Sequence, residues 1–153
     1  MANPYPLNIK HINELLQLST LTLATIGLDG QPHATPVYFV GMGESGLHFY
    51  FFSDPASQHA RDLERCPQAG VAIYPECSAW QDIRGLQMHG TVRSVSAGAE
   101  WEYAWMVYQA KFPFVSAFRE VVAGNTLYTF EPRWLRLLDN RHGFGYKEEW
   151  SIP

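Results

Sequence analysis

The sequence predicts a small antiparallel β-barrel, closed or split, with helices at its periphery. Three observations lead there. Six or seven short segments are rich in β-branched and aromatic residues, among them TLTLATIG from Thr20 and LHFYFF from Leu47. Several follow one another through tight turns, as at Asp29-Gly30, a dipeptide typical of two-residue hairpins. The helices that a parallel, doubly wound sheet needs between most of its strands are missing.

The elements read as follows. The 153 residues, 46% hydrophobic and 17% charged, suit one ordered domain spanning 1–153. Asn8 is placed to cap a short helix in which Ile9, Ile12, Leu15 and Leu16 share one face. A strand over Thr20 to Gly27 turns and returns over His33 to Val40. Pro32 and Pro36 cannot donate to a ladder, so the return strand needs an edge or an irregular section. Leu47 to Phe52 is the third strand. Asp54 and Pro55 then open a helix that stops near Cys66-Pro67, because a residue before proline disfavours helical geometry. Gln68 to Tyr74 and Leu86 to Val95 are strands separated by the loop PECSAWQDIRG. Ser96 can cap a helix to about Lys111, and Pro113 starts another helical piece to Val122. Leu127 to Phe130 and Trp134 to Leu138 are closing strands, followed by the glycine-interrupted tail DNRHGFGYKEEW.

Net charge is −4 and the lysines and arginines are scattered, which argues against nucleic acid or an anionic membrane as partner. No apolar run approaches the ~20 residues that cross a bilayer. The N-terminus lacks the apolar core of a secretory signal, and Cys66 and Cys77 are too far apart for a CxxC motif. Reduced thiols and a cytoplasmic location are expected. None of His11, His33, His48, His59, His89 and His142 forms HExxH or another close metal pair, so no metal site is expected. Walker, dinucleotide-glycine and Ser-His-Asp patterns are absent too. Trp101, Trp105 and Tyr108 recur at helical spacing and read as packing on the barrel or a partner.

The chemistry concentrates between Leu47 and Leu63, LHFYFFSDPASQHARDL. An aromatic strand ending in Phe52 and Ser53 runs straight into a helix whose first turns hold Ser57, Gln58, His59 and Arg61. A helix start carries unpaired N–H groups and partial positive charge, and suits an anion. Hydroxyl, imidazole and guanidinium groups there would complete a site for one phosphate, with the aromatic strand beside it for a flat ring. That combination fits a mononucleotide cofactor.

The order of motifs resembles the pyridoxamine 5'-phosphate oxidase-like, FMN-binding split-barrel family over nearly the whole chain. The resemblance rests on ATxxxDGxP at Ala24 to Pro32, FYFFSDPASQHARDL at Phe49 to Leu63 and IRGLQMHG at Ile83 to Gly90. Phe112-Pro113 and DNxxGFGxK at Asp139 to Lys147 complete it, closest to a small bacterial branch. It implies a cytoplasmic homodimer with FMN in grooves between the copies, acting on a small molecule as an oxidoreductase. The phosphate would fall to Ser57 and His59. Gln58 stands where an arginine often sits, and Thr35 and Val40 fall near second-strand positions that are basic in the better-known oxidases. Gln87 would meet the pyrimidine edge of the flavin, while Arg84 would pair with phosphate or carboxylate. Asn140, Phe144 and Lys147 would cover the ring. The alternative is a non-catalytic flavin- or haem-binding dimer, since some split-barrel relatives use haem.

Overall fold

Helix α1 (Ile9–Leu16) buries Ile12, Leu15 and Leu16 along one face, as a 3.6-residue period requires. The structure, a computed structural model, describes residues 9–42 and 46–153, with the backbone alone of Ile9 and Ala123. The expected cap Asn8 and the side chain of Ile9 lie outside the described residues. Strands β1 (Thr20–Ile26) and β2 (Pro32–Tyr38) make the expected hairpin, with Leu23 opposite Thr35 and Thr25 opposite His33. Gly30 takes φ +78° in its turn, a backbone region that glycine enters without strain.

Phe39 separates β2 from β3 (Val40–Met42), so the single return strand expected over His33 to Val40 is two. Then come β4 (His48–Ser53), α2 (Gln58–Arg65), β5 (Gln68–Ile73), β6 (Arg84–Ser94) and α3 (Ala99–Lys111). After a 3₁₀ segment (Pro113–Phe118) and α4 (Arg119–Ala123), the chain closes with β7 (Thr126–Asp139) and β8 (Lys147–Ser151). Two expected helix starts are corrected. Helix α2 begins a turn later than Pro55, because Asp54 first builds a turn that accepts from Ala56 N at 2.8 Å and Ser57 N at 3.0 Å. Helix α3 is capped at Gly98 and not at Ser96, and its first turn carries Glu100 and Glu102, a favourable charge at the positive end of the helix dipole.

The strands pair in the order β2-β1-β5-β6-β7-β4-β3, with β8 added to β7, and every pairing is antiparallel. Strands β2 and β3 stand at opposite ends of that order, yet only Phe39 separates them along the chain. The sheet therefore curls until its edges meet at Phe39, a split barrel. Lys111 pins this seam: its ammonium donates to the carbonyls of Leu16, Leu18 and Phe39 at 2.9, 2.7 and 2.9 Å. Burial lowers its pKa to about 8. Pro32 and Pro36 sit on an end strand of the order, where their missing N–H groups are tolerated.

The two closing strands expected are one, β7, with β6 along one edge and β4 and then β8 along the other. Pro132 does not end it because the register slips between His89 and Gly90, which face Trp134 and Pro132. Gly90 is required there: a Cβ would lie 2.1 Å from the Glu131 carbonyl oxygen. Along β4 the side chains alternate, Phe49 and Phe51 into the barrel core, Tyr50 and Phe52 outward against α3. Trp101, Trp105 and Tyr108 pack there, each edge-on to Phe52. Cys66 and Cys77 are free thiols, and no helix among the described residues is long and apolar enough to cross a membrane.

Candidate functional site

Strand β4 delivers Ser53, buried, to the first turn of α2. There His59 Nε2 lies 2.7 Å from Ser53 Oγ and 3.2 Å from Ser57 Oγ. Ser57 is also the N-cap, its hydroxyl accepting from Ala60 N at 3.3 Å. The other N–H groups of the turn have no acceptor within the helix itself. Burial pushes the His59 pKa down, against the pull of the Asp62 charge, so the imidazole is neutral at neutral pH. Two hydroxyls, an imidazole and a helix start thus converge on one corner, a donor set suited to a phosphate group.

The neighbouring expected residues are engaged with one another. Gln58 Nε2 donates to Asp62 Oδ1 at 2.8 Å, while Arg61 Nη2 donates to Gln58 Oε1 at 3.3 Å. Asp62 has no exposed surface and its other oxygen takes Thr25 Oγ1 at 2.8 Å and His33 Nδ1 at 2.6 Å. Burial alone would raise its carboxyl, but the bonds from His33, Gln58 and Thr25 outweigh it and hold the pKa at about 2. Thr35 lies half-buried on the same face of β2 as His33. Asp62, His33 and Thr25 were missed from sequence. The signal available was an acid four residues after Gln58 with apolar Leu63 beside it. Phe52 turns its ring to α3, so the flat platform expected of it is covered by Trp101, Trp105 and Tyr108.

A second group gathers where β6, β7 and β8 meet. Arg84 lies opposite Asp139 and Lys147 opposite Leu138. Gln87 is exposed and accepts from Arg136 Nη1 at 3.3 Å. A cavity of about 230 Å³ is lined here by Tyr74, Cys77, Arg84, Gly85 and Gln87 among others. Arg84 Nη1 also donates to Glu14 Oε2 at 2.9 Å. Asn140 joins loop to tail: its Nδ2 donates to Trp80 O at 2.8 Å and its Oδ1 accepts from Gly145 N at 2.9 Å. Both ends of its amide thus hold the fold together. Phe144 is exposed and meets Trp80 edge-on.

The two groups stand at opposite ends of β7, for Ser53 faces Thr126 and Arg84 faces Asp139. At ~3.3 Å per residue the contour between them is roughly 40 Å.

Residues 9–139 match the protein family described as "Pyridoxamine 5'-phosphate oxidase". The pyridoxine/pyridoxamine 5'-phosphate oxidase of Burkholderia lata is 36% identical over 85 residues, which are 55% of this chain and 36% of that protein. The chain therefore matches little more than a third of that relative's length. Among solved structures, ChuZ of Campylobacter jejuni superposes with a TM-score of 0.78 at 16% identity, over 94% of this chain and 59% of that one. HutZ, the haem storage protein of Vibrio cholerae, superposes with a TM-score of 0.68 at 22% identity, over 80% of this chain and 88% of that one. At these identities the two structures attest the fold.

Proposed function

Because the chain belongs to the pyridoxamine 5'-phosphate oxidase family, we propose that it is an FMN-binding oxidoreductase, a homodimer acting on a small molecule. The observation that carries this is the Ser53–His59–Ser57 cluster at the start of α2. These side chains and the free N–H groups of the turn would hold the phosphate, with Thr35, Gln58 and Arg61 at its rim. Bound FMN supplies two-electron redox capacity, and the protein supplies position and electrostatics. Arg84, Gln87, Asn140 and Lys147 of a second copy would border the ring, since in one chain they lie at the far end of β7. Free Cys66 and Cys77 suit the reducing cytoplasm, where we place this activity.

The phosphate corner is short of positive charge. Its imidazole is neutral, and Arg61, the arginine in the first turns of the helix, is exposed and bonded to Gln58. Charge-assisted hydrogen bonds are roughly twice as strong as neutral ones, so affinity for FMN is modest and rises as His59 gains a proton. The same weakness favours a second reading, a dimer that binds flavin or haem without turnover.

The visible spectrum of the purified protein, followed by FMN titration, tests the first reading. Flavin bands perturbed on binding support it, a Soret band moves the assignment to haem, and no binding at excess FMN sinks it. Ser57→Ala with His59→Ala should weaken FMN by roughly tenfold or more, two lost hydrogen bonds to a charged group, and leave riboflavin little changed. The part of FMN affinity that depends on His59, read as the ratio of the unsubstituted chain to His59→Ala, should increase as the pH falls below about 6.5. Turnover with NADH or NADPH separates the oxidoreductase from the binding dimer.

A further inference from the structure

The fold joins three metal-ligating side chains that the sequence keeps apart. His11 belongs to α1, Asp139 ends β7, and His142 lies in a 3₁₀ turn (Asn140–His142) before β8. Their ligating atoms all lie within 4.8 Å of one another. The two imidazoles meet edge-on, centroids 5.2 Å apart at 84°. Asp139 is fully buried, and the turn is held in place by Asn140 N donating to Ile83 O at 2.8 Å and by the Asn140 amide. On the other side Glu14, one turn along from His11, is fixed by Arg84 at 2.9 Å.

A guanidinium reaches two of these three side chains. Arg141 Nε and Nη2 donate to the two Asp139 oxygens at 2.9 and 2.6 Å, and Nη2 is 3.3 Å from His11 Nδ1. The cluster therefore already attracts positive charge at Asp139 and His11. The Arg141 side chain is 35% exposed, so it has a path out to solvent.

We propose that His11, Asp139 and His142 form a site for a borderline divalent transition ion such as Zn²⁺ or Co²⁺, with Arg141 as its built-in competitor. Two imidazoles and one carboxylate suit these ions and not Mg²⁺ or Ca²⁺, which prefer all-oxygen shells. Zinc–ligand bonds of about 2.0–2.2 Å require the donors to close in by about an ångström, a step open to the exposed His142. The bound ion puts two positive charges where the arginine puts one, and it cross-links α1 to the turn between β7 and β8. Three protein ligands leave a coordination position for water or an exogenous ligand.

Co²⁺ titration of the tag-free full chain, followed by visible absorption and then by competition with Zn²⁺, tests the site. One Co²⁺ per chain is expected, displaced by Zn²⁺ and not by Mg²⁺. Both His142→Ala and His142→Gln should weaken binding by tenfold or more with the melting temperature of the metal-free protein unchanged. Arg141→Ala should tighten it several-fold. Absence of saturable binding by the unsubstituted chain overturns the proposal, even if Arg141→Ala alone binds, because the guanidinium would then close the site. Binding unchanged in both His142 variants also overturns it and places the ion elsewhere.

Discussion

Asp62 carries a charge that the barrel interior would reject without Thr25, His33 and Gln58 as donors. Asp62→Ala strands those donors, and a loss of about 2–4 kcal/mol is expected in urea unfolding. Its pKa is about 2 in the fold against 3.8 for the free side chain, so its contribution is present above about pH 4 and fades as pH falls toward 2. Asp62→Asn should therefore flatten the acid limb of the stability profile and leave the neutral region parallel. A steeper limb in the variant would contradict the assignment. The helical spacing from Gln58 to Asp62 is visible in the sequence. The contact with His33 is not, because it depends on where β2 lies beneath α2. Ser57 and His59 were legible for the opposite reason: their meeting is local to one helical turn, and only Ser53 had to be brought from the preceding strand.

Strands announce themselves by β-branched and aromatic runs between turn residues, and β1, β2, β4, β5 and β6 were legible on that basis. Strand β7 was not read as one piece because Pro132 looks like a break. Its continuity rests on the bulge opposite, where Gly90 lets the backbones of β6 and β7 approach. Gly90→Ala should destabilise the protein by about 3 kcal/mol or more, since the contact at 2.1 Å is with backbone and has no side chain to yield. Gly70→Ala is the control: its added Cβ meets nothing nearer than Ala24 Cβ at 3.7 Å, and its effect should stay within about 1 kcal/mol. Comparable losses from both would show that strand glycines as such, and not this close approach, set the stability. Helix starts were misplaced because Asp54 and Ser96 have capping side chains, yet Asp54 builds a separate turn before α2 and α3 begins only after Gly98.

At the scale of the molecule, the barrel was legible from turn chemistry and from the lack of crossover helices. Its closure through Phe39 was not, because no local pattern says that β2 and β3 end on opposite edges. The same topology bears on the proposed dimer. A groove built within one chain would have to span the length of β7, from Ser53 opposite Thr126 to Arg84 opposite Asp139. The proposed two-fold dimer would remove that distance by setting the α2 corner of one copy against the β6–β8 corner of the other, twice per dimer. Complementation tests this directly. One parent carries Ser57→Ala and His59→Ala; the other carries Gln87→Ala and Lys147→Ala, both at exposed positions. Each parent alone should bind FMN poorly. After subunit exchange, half the dimers are mixed and each has one undamaged groove, so binding should return at about one groove in four. Grooves formed within single chains would gain nothing from mixing, and the titration would then stay at the level of the parents.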